Sequence, residues 1–361
     1  MKKERILILS VSAGSGHTSA AVALEQEAHA QGIDAKHIDL LELVSGKAKK
    51  LVANSYESFI KSFPTLWGFL YKNANRPSAS KGLSELSKLV HIMHAKKLND
   101  FVADYKPDRI IATHFLPAHV FSDMNKDRSI SIPVDAVLTD YGVHALWAHP
   151  NMRRYFVAAE STSDELKKFV PKANTVVSGI PIRSAFYDTY SLTDLQKQLN
   201  LKDNLPTLLF LAGGHGLIPL DHYVRIAIDG ISHPCNIVAI AGENAKLQAS
   251  LKNLAPKQHH YQAHGWTDQM QNFMRCSDVV ISKPGGITTS ECITLQKPLL
   301  AIEPIPGQEI DNAQFIEQHH LGKHISQKES LADTIEKILK KDFLYSPLTY
   351  KKRPSKMIIE G

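Results

Sequence analysis

The sequence predicts an α/β protein with two doubly wound, Rossmann-like domains, each built on a parallel sheet. Three observations predict this fold. The chain has 361 residues, which is too long for one ordinary core. Short β-branched apolar runs alternate with helical segments. A glycine-rich turn follows the first strand of each half, and such loops would face one cleft from the carboxyl ends of the strands.

In the first half, the apolar runs predict six strands, at 5–11, 34–39, 108–113, 133–139, 154–158 and 174–178. Helical periodicity predicts helices at 16–31, 116–125 and 162–170, and a long helical region over 48–104.

The segment Gly179-Ile-Pro-Ile breaks this alternation, and residues 192–201 have the pattern of a linking helix. A second series of strands is predicted at 207–212, 236–241, 258–262, 278–282 and 298–302. We therefore expect an N-terminal domain over 1–185, a C-terminal domain over 186–345 and a tail over 346–361. The sequence does not decide whether the tail packs back on the first domain.

Composition excludes several classes of protein. No apolar run approaches the roughly 18 residues of a membrane span, and the short segment before the first strand is not expected to be a signal peptide. The three cysteines have no metal or redox spacing, so we expect a reducing, cytoplasmic location. Adjacent histidines such as His259 and His260 lack acidic or cysteine partners, so no metal site is expected.

One segment, residues 46–82, is both basic and aromatic. It carries seven Lys and Arg against a single acid, Glu57. Its aromatic side chains include Phe63, Trp67, Phe69 and Tyr71. An anionic membrane surface attracts such a segment, with the rings at the headgroup level. The alternative is a solvated cationic helix whose rings face the core. No nucleic-acid motif accompanies the segment, so nucleic acid is not an expected partner.

Two candidate sites lie in the first half. Gly14 and Gly16 permit a tight turn and close approach of a ligand to the backbone, and His17 then begins a helix. His17 is either a proton acceptor or a residue that only satisfies the turn. Asp140 ends an apolar strand and is either a catalytic carboxylate or a turn residue. Trp147 and His149 follow closely.

The second half carries loops suited to a nucleotide. Gly213-Gly214-His215-Gly216 follows a strand and suits a diphosphate, or is a plain tight turn. Trp266 either flanks a nucleobase or packs in the core. The residues that follow, Thr267 and Asp268, either belong to the same site or one of them only caps the next helix.

The most informative stretch is 278–314. Gly285 and Gly286 end a strand and open a helix, whose free N–H groups attract phosphate. Glu291, in the first turn after them, would bind ribose hydroxyls. A loop with Gln308, Glu309 and Asn312 offers amides and carboxylates to sugar hydroxyls. The stretch therefore predicts a ligand with a phosphate end and a sugar end.

These motifs together resemble the monogalactosyl/monoglucosyl-diacylglycerol synthase group of glycosyltransferase family 28, related to the peptidoglycan N-acetylglucosaminyltransferase. The resemblance rests on motifs that occur in family order over nearly the whole chain. They are Leu9–His17, Val137–Asp140 with Trp147–Pro150, Gly179–Arg183, Gly265–Asp268, Ser282–Glu291 and Pro306–Ala313.

The resemblance implies a GT-B fold, a UDP-glucose or UDP-galactose donor, and inverting transfer with no obligatory metal. The donor would contact Gly14, Gly16, the Gly213–Gly216 loop, Trp266 and the first helical residues, Gly285 to Thr288, including Ile287. Glu291 would hold the ribose, and Gln308 and Glu309 the hexose.

By the same resemblance, the acceptor is diacylglycerol at the cytoplasmic membrane face. The acceptor or membrane contacts would be Phe63, Trp67, Phe69, Tyr71, Trp147 and His149. We favour His17 as the base, with Asp140 as the alternative. A polyprenyl-linked acceptor, or a non-catalytic UDP-binding protein, are the remaining alternatives.

Overall fold

The structure is a computed structural model that describes residues 4–12, 15–43, 96–126, 131–149, 151–216, 218–327 and 330–361. Gly14 and the basic aromatic segment 46–82 lie outside the described residues. The expectations for Gly14, Phe63, Trp67, Phe69 and Tyr71 therefore stay predictions.

The chain divides into two compact units. Unit 1 comprises Met1–Ser184, Pro306–Asp311 and Tyr350–Gly361, and unit 2 comprises Ala185–Ile305 and Asn312–Thr349. Each unit has a six-stranded sheet in which every recorded strand pair is parallel, so the predicted doubly wound α/β class is confirmed.

The strands of unit 1 are β1 (Arg5–Ser10), β2 (Asp34–Asp39), β3 (Arg109–Ala112), β4 (Val134–Val137), β5 (Arg154–Val157) and β6 (Thr175–Val177). Its helices include α1 (Ser15–Ala30), α2 (Lys96–Tyr105), α3 (Phe115–Lys126) and α4 (Glu160–Phe169). The sheet order is β2-β1-β3-β4-β5-β6.

The central strands of unit 1, β1, β3 and β4, are buried on both faces, as their mostly apolar sequences predict. Along β1, Ile6 and Ile8 join one buried cluster, whereas Leu7 and Leu9 join another. The first cluster includes Leu24 of α1, since alternate side chains of a strand point to opposite faces.

The strands of unit 2 are β7 (Thr207–Leu211), β8 (Asn236–Ile240), β9 (His260–His264), β10 (Val279–Ser282), β11 (Leu299–Ala301) and β12 (Gly322–His324). The helices that follow Ser184 are α5 (Leu192–Gln198), α6 (Leu220–Gly230), α7 (Ala245–Lys252), α8 (Met270–Cys276), α9 (Gly286–Leu295), α10 (Gln308–Gln318) and α11 (Ser330–Leu339). The sheet order is β12-β11-β10-β7-β8-β9. The edge strand β12 was not predicted from the sequence.

Each sheet has one point at which the strand order reverses. In unit 1 the reversal lies between β1 and β3, and in unit 2 between β7 and β10. At such a point the following helices leave toward opposite faces, and a crevice opens at the carboxyl ends of the two strands. The fold alone therefore selects the loops after β1, β3, β7 and β10 as binding positions.

The last helix, α12 (Pro354–Glu360), packs against α1 within unit 1. Ile358 and Ile359 complete the apolar cluster beneath α1. Buried Arg109 donates to the carbonyl oxygens of Ile358 and Ile359 at 3.4 and 2.8 Å, which satisfies backbone groups at the end of the helix.

Arg109 is held by a fully buried carboxylate, that of Asp135 on β4. Their closest N–O distance is 3.7 Å, and Arg153 Nε donates to Asp135 Oδ1 at 2.8 Å. Arg154 approaches the same carboxylate at 3.3 Å. Arg109 Nε also lies 3.3 Å from a carboxylate oxygen of the exposed Glu4, so one buried and one exposed acid balance the arginines beneath the C-terminal helix.

We predict that Asp135→Ala lowers the free energy of unfolding by about 3 kcal/mol, because removing one partner leaves buried Arg109 with too little compensating charge. Urea denaturation followed by circular dichroism measures the change. The control is Asp229→Ala, which breaks the exposed ion pair of Asp229 with Lys257 and should leave stability near wild type. Equal stability of the two variants would contradict this account.

Candidate functional site

His17 lies at the reversal point of unit 1, in the first turn of α1. Its Nδ1 is 2.9 Å from the carbonyl oxygen of Thr113, just after β3, and 2.8 Å from Oγ1 of Thr139, after β4. The Thr113 hydroxyl donates to the His17 carbonyl at 2.9 Å. The ring is therefore fixed by the ends of two neighbouring strands.

Two further histidines lie close to His17. The His114 ring meets the His17 ring edge-on, with centroids 4.5 Å apart, and His144 meets Phe115 edge-on at 5.3 Å. Burial lowers the pKa of His17 to about 4 and that of His144 to about 3, and it holds the pKa of His114 well below its usual value. All three imidazoles are thus neutral at pH 7, so His17 can accept a proton.

Asp140 follows Thr139 directly and is partly exposed. Because Thr139 contacts the His17 ring, Asp140 is the direct chain neighbour of a residue that holds the other candidate base. Asp140 stays the alternative base.

The burial of Trp147 and His149 differs from the sequence expectation. Both were predicted as acceptor or membrane contacts, but they are 3% and 7% exposed and belong to the interior of unit 1. Trp147 packs edge-on against Phe115, and the His149 Nδ1 lies 3.3 Å from Nδ1 of His119. Side chains that the core covers this completely offer little surface to a bilayer.

The glycine loop after β7 is a tight turn. Gly213 and Gly216 have φ angles of +77° and +61°, which side-chain-bearing residues rarely adopt. The Gly216 N–H donates to the Gly213 carbonyl at 3.1 Å. His215 is exposed at this loop, and its Nδ1 lies 3.5 Å from a carboxylate oxygen of Glu243.

The loop after β10 opens α9 without a side-chain cap. Gly285 occupies the N-cap position and makes no side-chain cap to the first turn, which consists of Gly286, Ile287, Thr288 and Thr289. Uncapped N–H groups at a helix N-terminus attract an anion.

Lys283 joins these two loops and was missed by the sequence reasoning. A Cβ added to Gly213 would lie 3.2 Å from Lys283 Cε, so the aliphatic part of the Lys283 side chain lies against the glycine loop that follows β7. The signal was a lysine placed directly between a strand end and the Gly-Gly turn. The reversal point of unit 2 thus combines a cation with uncapped N–H groups.

Four residues beyond this turn differ from the sequence expectation. Glu291 lies in the second turn of α9, not the first, and is 9% exposed. Gln308 and Glu309 open helix α10 rather than lying in a loop. Asn312 is fully buried, and its Nδ2 donates to the Pro284 carbonyl at 2.9 Å, so it holds the Gly-Gly turn instead of meeting a sugar.

Gln308 differs from Asn312 in one respect. Its Oε1 is buried and has no hydrogen-bond partner among the described residues. A buried amide oxygen without a partner is costly, and a ligand hydroxyl would satisfy it.

Trp266 follows β9 and is 64% exposed, so it does not pack in the core of unit 2. It borders an open cavity of about 640 Å³, together with His264, Gln248 and Lys252. Thr267 Oγ1 accepts from the Gln269 N–H at 3.1 Å, just before α8. The exposed indole is available to stack on a flat ring.

Two kinds of feature are absent from the described residues. No cluster of three or more His, Cys, Asp or Glu side chains could hold a metal ion there. In the same residues, no helix is both long and apolar enough to cross a bilayer.

Comparisons with known proteins show to which family the chain belongs. Residues 17–182 match the monogalactosyldiacylglycerol (MGDG) synthase family, and residues 207–358 match the glycosyltransferase family 28 C-terminal domain. A processive diacylglycerol β-glucosyltransferase of Bacillus cereus (strain AH187) is 31% identical over 88% of this chain and 81% of its own length. The chain belongs to the MGDG synthase family and is a glycosyltransferase.

A second relative of the same description, from Bacillus pumilus (strain SAFR-032), is 29% identical over 93% of this chain and 87% of its own. Among solved structures, Acinetobacter baumannii MurG superposes with a TM-score of 0.65 at 14% identity, over 99% of this chain and 98% of MurG. The predicted GT-B fold is confirmed by this likeness.

The buried histidines of unit 1 predict a pH-dependent stability. Unfolded histidine protonates below about pH 6.5, whereas buried His144 and His149 have a pKa of about 3. The unfolded state therefore binds more protons below pH 6.5, and the free energy of unfolding falls as the pH falls from 6.5 toward 3. The slope is about 1.4 kcal/mol per pH unit for each such histidine.

Urea denaturation at pH 7.5, 6, 5 and 4 measures this slope. The variant His144→Phe keeps an aromatic ring beside Phe115 but cannot be protonated. Its stability should therefore change less steeply with pH, by about 1.4 kcal/mol per pH unit, which is the contribution of one histidine. A slope equal to that of the wild type would contradict the assignment for His144.

Proposed function

We propose that this protein transfers glucose or galactose from a UDP-sugar to diacylglycerol, with inversion, and forms a β-glycosyl-diacylglycerol. The observation that carries the proposal is a neutral, oriented histidine at the reversal point of unit 1 in a chain of this family. The relatives' description as diacylglycerol β-glucosyltransferases supports the lipid acceptor.

In the proposed reaction, His17 takes the proton of the acceptor hydroxyl as its oxygen attacks C1 of the hexose. The bond from C1 to the diphosphate oxygen breaks, and UDP leaves from the opposite face of the sugar. A neutral imidazole is the form that can accept this proton, and the lowered pKa of His17 keeps it neutral. Asp140 is the second candidate for the base.

The donor side of the proposal rests on unit 2 and on Gln308 and Glu309, which begin α10 and belong to unit 1. The leaving diphosphate gains negative charge, which the uncapped N-terminus of α9 and the Lys283 ammonium would stabilise. We assign the ribose to Glu291, the hexose to Gln308 and Glu309, and the uracil ring to Trp266. The buried, unpartnered Gln308 Oε1 supports its assignment.

The site of action is proposed from the sequence. The basic aromatic segment 46–82 suits an anionic membrane surface, so we propose a peripheral enzyme of the cytoplasmic membrane face. A polyprenyl-linked acceptor is the second candidate, because it would present its hydroxyl or phosphate at the same surface.

Two variants separate the two halves of the mechanism. His17→Ala should abolish hexose transfer to diacylglycerol vesicles yet bind UDP with unchanged affinity, because only the base is lost.

Lys283→Met should weaken UDP binding about tenfold or more, because a charge-assisted contact to the diphosphate is lost. Lys283→Arg is the matched control and should retain most of the affinity.

Isothermal titration with UDP and single-turnover transfer assays give the two readouts. Near-normal turnover of His17→Ala would overturn its role as the base. A wild-type protein that binds UDP but transfers no sugar would instead support a non-catalytic UDP-binding protein.

A further inference from the structure

The contacts of His17 Nδ1 determine which nitrogen of the ring carries the proton. Nδ1 lies 2.9 Å from the Thr113 backbone carbonyl oxygen. A carbonyl oxygen can only accept a hydrogen bond, so Nδ1 must be the donor. The neutral ring then carries its hydrogen on Nδ1 and presents the lone pair of Nε2.

Thr139 makes the second contact to the same nitrogen, with its Oγ1 at 2.8 Å. Since Nδ1 carries only one hydrogen, this N–H forms a bifurcated hydrogen bond, which both the Thr113 carbonyl oxygen and Thr139 Oγ1 accept. Thr139 is 4% exposed, so burial restricts the movement of its hydroxyl beside the ring. Two oxygens from neighbouring strand ends thus define the ring orientation.

We propose that Thr139 is a positioning residue for the transfer reaction: with the Thr113 carbonyl it fixes His17 as the Nδ1–H tautomer and aims Nε2 at the acceptor hydroxyl. This inference rests on the proposed function, in which His17 is the base. Thr139 would then have the role that the aspartate has in a Ser-His-Asp triad, which is to hold the imidazole in the correct tautomer and orientation.

The contribution of Thr139 grows during the reaction. When Nε2 takes the acceptor proton, the ring becomes an imidazolium and both Nδ1–H···O contacts become charge-assisted. An interaction that is stronger in the transition state than in the ground state raises kcat and leaves substrate binding unchanged. Thr139 also favours proton acceptance without placing a full negative charge in the cluster of buried histidines.

The first test is spectroscopic and needs no turnover. Protein labelled with 15N-histidine gives long-range 1H–15N correlations that report the tautomer of each ring, and the His17 signals are those that His17→Gln removes. We expect a protonated Nδ1 and an unprotonated Nε2 at pH 7.5. A protonated Nε2 would overturn the proposal.

The second test uses Thr139→Val, which keeps the side-chain shape and removes the acceptor oxygen. We expect kcat to fall about tenfold or more, with the KM for the UDP-sugar within about twofold of wild type. Thr139→Ser restores the oxygen and should recover most of the activity. It also keeps the test valid if the valine variant folds poorly.

The matched control is Thr334→Val in unit 2. The Thr334 hydroxyl is 4% exposed and donates to the Ser330 carbonyl at 2.7 Å, and it contacts no histidine in the described structure. This variant should change kcat little. An unchanged kcat in folded Thr139→Val, or an equal loss in Thr334→Val, would overturn the positioning role. If the wild-type protein transfers no sugar to diacylglycerol, the proposed function is refuted instead. The tautomer measurement would still test the inference about Thr139.

Discussion

Much of the candidate site follows from one constraint of parallel sheets, the reversal of strand order. At the β1/β3 point of unit 1 and the β7/β10 point of unit 2, adjacent strands send their helices to opposite faces, so the loops between them diverge. Backbone N–H groups and short side chains at these strand ends stay accessible. His17 and Lys283 both occupy such positions, and both depend on backbone that the sheet holds in place.

The two reversal points have opposite chemical character. The one in unit 1 is a cluster of neutral imidazoles, with His114 and His144 buried and His17 partly exposed, because desolvation disfavours their charged forms. The one in unit 2 has a lysine, a helix N-terminus without a side-chain cap and two glycine turns. A proton acceptor suits the first environment and a diphosphate suits the second. This contrast is the physical basis of our proposal that unit 1 activates the acceptor and unit 2 binds the diphosphate of the donor.

Sequence patterns predicted the fold well where periodicity is strong. Buried parallel strands such as β1, β7 and β10 are continuous apolar runs, and glycine marked the turns that follow them. β12 was missed because it spans Gly322–His324, which is too short and too polar to show a pattern. The helical start of α10 at Gln308 was missed because Pro306 and Gly307 indicate a loop.

Side-chain environments were predicted less well, because they depend on residues that are distant in sequence. Trp147 and His149 follow a strand end like surface residues, yet Phe115 and His119 of α3 cover them. Asn312 resembled a sugar ligand until its partner, the Pro284 carbonyl, was known. The pairing of His17 with Thr139 spans more than a hundred residues, and no local pattern could indicate it.

The most direct test of the account is a product analysis. Purified protein is incubated with radiolabelled UDP-glucose or UDP-galactose and vesicles that contain diacylglycerol, and the lipids are then separated and their anomeric configuration is determined by NMR. The account predicts a labelled hexosyl-diacylglycerol of β configuration from at least one donor, and none from His17→Ala. An α-linked product, or free hexose with no labelled lipid from either donor, would contradict it.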